Sequence, residues 1–223
     1  MKRHIALILA ACGFLLSVSL SMGLGQQSRP AEGSTQQSRP ADDYRAEFVK
    51  SFHRIGMNTP PEDALFLRML VEMRKAQLGI EVGSANGFGA VNMGIGFDRT
   101  GGHLDTIDID PDMVKQCREN LKKANLDNTV TCIEGDALRV MPTLGGEFDF
   151  LFLDAVKEDY LKYFKAVSGK LKVGAVVVAH NAVSSAMAMK DFLDFMEGSP
   201  DWEMVIVRTG RNNDGMAVCY KRK

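Results

Sequence analysis

The chain has 223 residues, 45% of them hydrophobic, with a formal net charge of −1 and a pI of about 6.4. That length and apolar content suit one globular domain around a single sizeable core, and they exclude a disordered chain or a basic nucleic-acid binder. A small-molecule partner is expected, and no nucleic acid. The chain opens on MKRHIALILAACGFLLSVSLSMGLGQQ, with Lys2 and Arg3 before an apolar run from Ile5 to about Leu20 and small residues after it. Residues 1–25 read as a signal peptide, or as a membrane anchor, since about twenty apolar-rich residues can span a bilayer. Leu9-Ala10-Ala11-Cys12 also resembles a lipoprotein signal, although the residues after Cys12 stay apolar. With Lys2 and Arg3 held inside, each of these readings exports the domain, as a periplasmic, secreted or membrane-anchored protein. A true start at Met22 or later would leave it cytoplasmic.

Residues 26–41 carry QQSRPA twice, at 26 and 36, and read as a flexible polar linker. The domain is therefore expected over residues 42–223. Thr59-Pro60-Pro61-Glu62 has the pattern of a capping box with proline at the first helical position, opening a helix to about Ala76. Strands are expected at 78–83, 103–109, 128–135, 148–154 and 174–180, with helices at about 87–97, 111–124, 137–141 and 158–168 between them. Apolar strands alternating with helices predict a parallel sheet covered on both faces. After a helix at about 185–197, the segments 202–209 and 214–221 are separated by a few turn residues and predict an antiparallel hairpin. The expected fold is α/β: a doubly wound, mostly parallel seven-stranded sheet with a C-terminal antiparallel hairpin. Cys117, Cys132 and Cys219 are scattered over the domain and read as buried thiols.

In such sheets ligands sit beyond the carboxyl ends of the strands. The first strand ends in Glu81-Val82-Gly83-Ser84-Ala85-Asn86-Gly87-Phe88-Gly89, a turn that lets a ligand approach the backbone and leads into a helix N-terminus with unpaired N–H groups. Its G-x-x-x-G-x-G spacing departs from the G-x-G-x-x-G of dinucleotide binders. The second strand ends in Asp108-Ile109-Asp110-Pro111; Asp110 suits the helix N-cap, which leaves Asp108 free to accept both hydroxyls of a ribose. Asp136, at the end of the third, caps a short helix or faces an adenine amino group. His180 and Asn181 close the fifth strand.

These motifs together resemble the class I S-adenosylmethionine-dependent O-methyltransferases of the caffeoyl-CoA and catechol type, over nearly all of residues 55–221. Met57-Asn58-Thr59 matches an N-terminal motif of that family, Glu81 to Gly89 the methionine-and-glycine loop, and Asp108 the ribose acid. Asp154-Ala155-Val156-Lys157-Glu158-Asp159-Tyr160 matches its D-A-x-K-x-x-Y segment, and Asp214-Gly215 the start of its last strand. The resemblance implies a Rossmann-like methyltransferase fold with S-adenosyl-L-methionine held by Met57, Thr59, Glu81, Gly83, Ser84, Gly87, Gly89, Asp108, Ile109, Asp136, Ala137 and Asp154. It implies a divalent metal on Asp154, His180 and Asn181, and Lys157 as the residue that helps deprotonate the acceptor. His180 stands where the family usually has Asp, and imidazole favours Mn, Fe, Co or Zn over Mg. The acceptor implied is a small catechol-like or other vicinal diol. A homodimer and, through the N-terminal segment, a membrane association are further implications.

Two alternatives remain beside this reading. One is a metal-independent methyltransferase with His180 as base. The other is an exported binding module that keeps the fold without catalysis. An NAD-dependent oxidoreductase ranks last, given the glycine spacing.

Overall fold

A computed structural model of the chain describes residues 40–210 and 214–223. The expected signal or anchor segment and nearly all of the linker lie outside the described residues, as does most of the hairpin turn. Seven strands form one sheet: β1 Leu78–Val82, β2 His103–Asp108, β3 Val130–Glu134, β4 Phe148–Leu153, β5 Leu171–Ala179, β6 Trp202–Val207 and β7 Met216–Lys221. Their order is β3-β2-β1-β4-β5-β7-β6. The first five are parallel, and β7 runs antiparallel to both β5 and β6. The sheet is the doubly wound, mostly parallel one expected, with its C-terminal hairpin.

The apolar strands follow from burial on both faces. Successive side chains point to opposite sides of a strand. Thus Phe150 and Phe152 of β4 enter one core with Val176 and Val178, and Leu151 and Leu153 enter the other with Val177 and Ala179. Helices α2 (Pro61–Arg74), α3 (Phe88–Thr100) and α4 (Pro111–Lys123) supply Leu67, Val91 and Val114 to the first core. Helices α6 (Tyr160–Val167) and α7 (Lys190–Gly198) supply Phe164 and Phe192 to the second, where the short α5 (Ala137–Val140) adds Ala137. Cys117, Cys132 and Cys219 are buried and free.

Three local expectations are corrected. Thr59 does not cap α2. Pro60 is the N-cap residue and no side chain caps there, because the Thr59 hydroxyl is turned toward Asp154. The last helix starts at Lys190 rather than 185, since residues 180–189 form turns held by Asp214. A helix the pattern did not reveal, α1 (Pro40–Ser51), opens the domain. Its tie to the domain is long-range: buried Arg45 donates to the carbonyls of Ala124 and Asn125 and pairs with Asp98 at 2.7 Å. Arg45→Ala leaves those acceptors without their donor, a loss on the order of 3 kcal/mol. A domain of this size should then melt about 6–12 °C lower in calorimetry; an unchanged midpoint would show that the Arg45 bonds contribute nothing to stability.

Candidate active site

The strand order reverses between β1 and β4, which opens a crevice beyond the carboxyl ends of the strands. A cavity of about 720 Å³ lies there. One wall carries Gly83 after β1, Asp108 and Ile109 after β2, and Asp136 and Ala137 after β3. The other carries Asp154 and Lys157 after β4, and His180 and Asn181 after β5, with Met57 at the rim.

Gly83 is required by geometry. Its φ of +96° lies in the left-handed region, and a Cβ there would sit 2.3 Å from the Asp154 carbonyl oxygen. The loop after β1 can therefore approach the start of the loop after β4. Asp108 is not free, as capping by Asp110 had implied it would be. It accepts from the Ala85 backbone N–H at 2.8 Å and from that of Asp110 at 3.0 Å, one on each carboxylate oxygen. Each oxygen keeps a second acceptor position, so two further donors can be taken from the cavity. Asp110 caps α4 as expected, and Asp136 accepts from the Leu138 N–H and so caps α5.

Other residues of the loop lie behind the cavity wall. Glu81 is buried and accepts from the Thr106 hydroxyl at 2.6 Å; burial pushes its carboxyl well above the usual range. Gly89 makes room for that acid, because a Cβ would meet Glu81 Oε1 at 2.5 Å. Gly87 is the N-cap residue of α3, and the Ser84 hydroxyl donates to the Ala85 carbonyl. Asn58 donates to Asn86 and so ties the 57–59 segment to this loop.

The polar cluster on the far wall is a closed chain of contacts. His180, 6% exposed, has Nδ1 at 3.1 Å from Asp154 Oδ1 and Nε2 at 3.0 Å from Asp63 Oδ2. Burial disfavours its charged form, but hydrogen bonds to the two carboxylates outweigh that and push its pKa up to about 9. Asp154 also accepts from Lys157 Nζ at 2.9 Å and from the Thr59 hydroxyl at 3.3 Å. Its carboxyl is held below the usual range, since His180 and Lys157 overcome the effect of burial. Lys157 donates in addition to the Tyr160 hydroxyl at 2.7 Å. Asn181 sits at φ 60°, a left-handed turn that Asn tolerates, and its amide donates to Asp214 at 2.8 Å.

The divalent-ion site expected of Asp154, His180 and Asn181 does not fit this geometry. A carboxylate only accepts, so an imidazole bridging two carboxylates donates through both nitrogens and has no lone pair for a metal. Among the described residues, no group of three His, Cys, Asp or Glu is arranged to hold an ion.

Asp63 is the residue that sequence reasoning missed. It lies in the first turn of α2, where an acid suits the helix dipole. It is 4% exposed, accepts from His180 and also accepts from the Thr209 hydroxyl. No spacing links Asp63 to His180, which is 117 residues away.

A glycine turn after β1, an acid after β2 and a polar cluster after β4 and β5, all on one cavity, are the features of a Rossmann-like methyltransferase. The O-methyltransferase family model matches residues 31–194, and the chain belongs to that family. It is 29% identical over 171 residues to a catechol O-methyltransferase of Mycobacterium tuberculosis, covering 70% of this chain and 77% of that one. It is 30% identical over 131 residues to tapetum-specific methyltransferase 1 of Arabidopsis thaliana, covering 57% and 56%. The chain thus spans little more than half the length of that plant relative. Among solved structures it shares its fold with an O-methyltransferase from Streptomyces achromogenes involved in tomaymycin synthesis, in complex with SAM, at TM-score 0.70 and 21% identity over 84% of this chain and 92% of that one. A Bacillus cereus O-methyltransferase in complex with SAH aligns at TM-score 0.68 and 19% identity, over 85% and 94%.

Proposed function

We propose that this protein is an S-adenosylmethionine-dependent O-methyltransferase acting on a small catechol-like or vicinal-diol acceptor. The observation that carries the reading is that one cavity joins the Gly83 and Asp108 wall to the Asp154, Lys157 and His180 wall. Its volume suits a cofactor with a small acceptor beside it. The cofactor supplies an electrophilic methyl on a sulfonium, which leaves as a neutral thioether when an acceptor oxygen takes the methyl. Asp108 offers its two remaining acceptor positions to the ribose hydroxyls, and the Gly83 turn admits the cofactor close to the backbone. A phenol is mostly protonated near neutrality. The acceptor hydroxyl gives its proton to water, and the Lys157 ammonium on the cavity wall favours the phenolate that remains. Export of the domain through residues 1–25 belongs to the same reading, and mass spectrometry of the native N-terminus checks it.

Calorimetry with S-adenosylmethionine tests the cofactor assignment, and methyl transfer to a panel of catechols tests the acceptor class. Asp108→Ala should weaken cofactor binding about tenfold or more, since hydrogen bonds to a charged acceptor contribute ~1.5–3 kcal/mol each. Unchanged affinity in a folded variant would remove Asp108 from the ribose site.

A further inference from the structure

We propose that this site works without a divalent ion, because His180, clamped between Asp63 and Asp154, occupies the place where an ion would bind, and that Asp63 is the residue that positions it. The inference rests on the methyltransferase reading only for its activity arm. Its basis is donor and acceptor geometry. Both ring nitrogens of His180 lie at hydrogen-bond distance from carboxylate oxygens, 3.0 Å from Asp63 and 3.1 Å from Asp154. Neither oxygen can donate, so the ring donates twice and is an imidazolium. It is buried against Phe152, with ring centroids 6.1 Å apart, so the clamp is enclosed by packing as well as by charge.

The remaining candidate ligands are committed as well. Asp154 takes three donors, from His180, Lys157 and Thr59. Asp63 takes two, from His180 and Thr209. The Asn181 amide is held by Asp214, which also accepts from the backbone N–H groups of Val183, Ser184 and Gly215 and from the Ser184 hydroxyl. Two carboxylates, Asp63 and Asp154, face two side-chain cations, His180 and Lys157, so the cluster is balanced as it stands. An incoming divalent ion would meet two like charges and would first have to expel the imidazolium proton and displace Lys157. The positive charge facing the acceptor oxygen is already present on the cavity wall, in Lys157 and His180. Asp63 acts only through His180.

The test uses the full chain, stripped with EDTA and dialysed, then titrated with MnCl2 and MgCl2 in a calorimeter. The wild type should show no saturable binding into the low millimolar range. His180→Asp removes a cation and adds a carboxylate beside Asp154, and should create a Mn site at least tenfold tighter. Methyl transfer by the wild type should be equal in EDTA and in Mn. Asp63→Asn should keep cofactor affinity but lower kcat, with KM for the acceptor little changed, and Asp63→Glu should recover part of the loss. Stoichiometric micromolar Mn binding by the wild type, or activity abolished by EDTA and restored by metal, overturns the proposal. If His180→Asp does not fold, the wild-type titration still decides. Absence of S-adenosylmethionine binding would overturn the functional reading instead, and the metal titration would then decide by itself whether the His180 clamp excludes an ion.

Discussion

Replacing Lys157 by Ala should slow methyl transfer by about 10²–10³-fold while leaving S-adenosylmethionine affinity near that of the wild type. That magnitude is typical of removing one preorganised donor from a developing oxyanion. Lys157 lies on the Asp154 wall of the cavity, where the proposed acceptor would sit, and touches Asp154 and Tyr160, away from the Asp108 wall. Its loss removes the cation held by Asp154 and Tyr160 on the cavity wall, and His180 stays fixed between its two carboxylates. The acceptor then ionises on its own, with a pKa near 10 for a simple phenol. The rate of Lys157→Ala should therefore climb more steeply with pH between about 7 and 10 than that of the wild type. Stopped-time assays across that range read both effects. A variant that keeps full rate at pH 7 would show that Lys157 is a structural partner of Asp154 only.

The second large effect is on the fold itself. Gly83→Ala places a Cβ 2.3 Å from the Asp154 carbonyl oxygen and 2.8 Å from its carbonyl carbon, at a φ of +96°. The neighbouring atoms are backbone of the β4 end and cannot rotate away. Left-handed strain costs about 1–3 kcal/mol in such a position, and overpacking about as much again. Together these predict a melting temperature lower by roughly 5–20 °C. Any folded fraction should bind the cofactor poorly, because relieving the clash pushes the β1 and β4 loops apart. A variant with the wild-type midpoint would mean that the two loops do not lie so close.

Much of the architecture was legible in the sequence, because its signals are local. The strands β1, β2 and β4 lie within a residue or two of the spans the sequence predicts, since a sheet covered on both faces demands apolar-rich segments such as LGIEV and FDFLFL, closed by turn residues. Asp110 was legible as a cap because it precedes Pro111, and capping is settled within one turn. The same rule failed at Thr59, where a tertiary partner, Asp154, competes for the hydroxyl. Helix α1 escaped notice because its anchoring group, Arg45, finds its partners 53 to 80 residues away.

By itself the sequence determined the order of the strands and of the helices between them, the turn that needs Gly83, and the set of polar residues gathered at the strand ends. Periodicity, turn chemistry and the parallel-sheet rule act over short stretches and can be read directly. What His180 does was decided only by the tertiary structure. The chain places an imidazole after β5, but its chemistry depends on what lies beside both nitrogens. Asp63 reaches it from α2, 117 residues earlier, and Asp154 from the end of β4. With one carboxylate and an open nitrogen, the ring would be a metal ligand. With two carboxylates it donates through both nitrogens, carries a positive charge, and fills the place of the ion that its position in the chain had suggested.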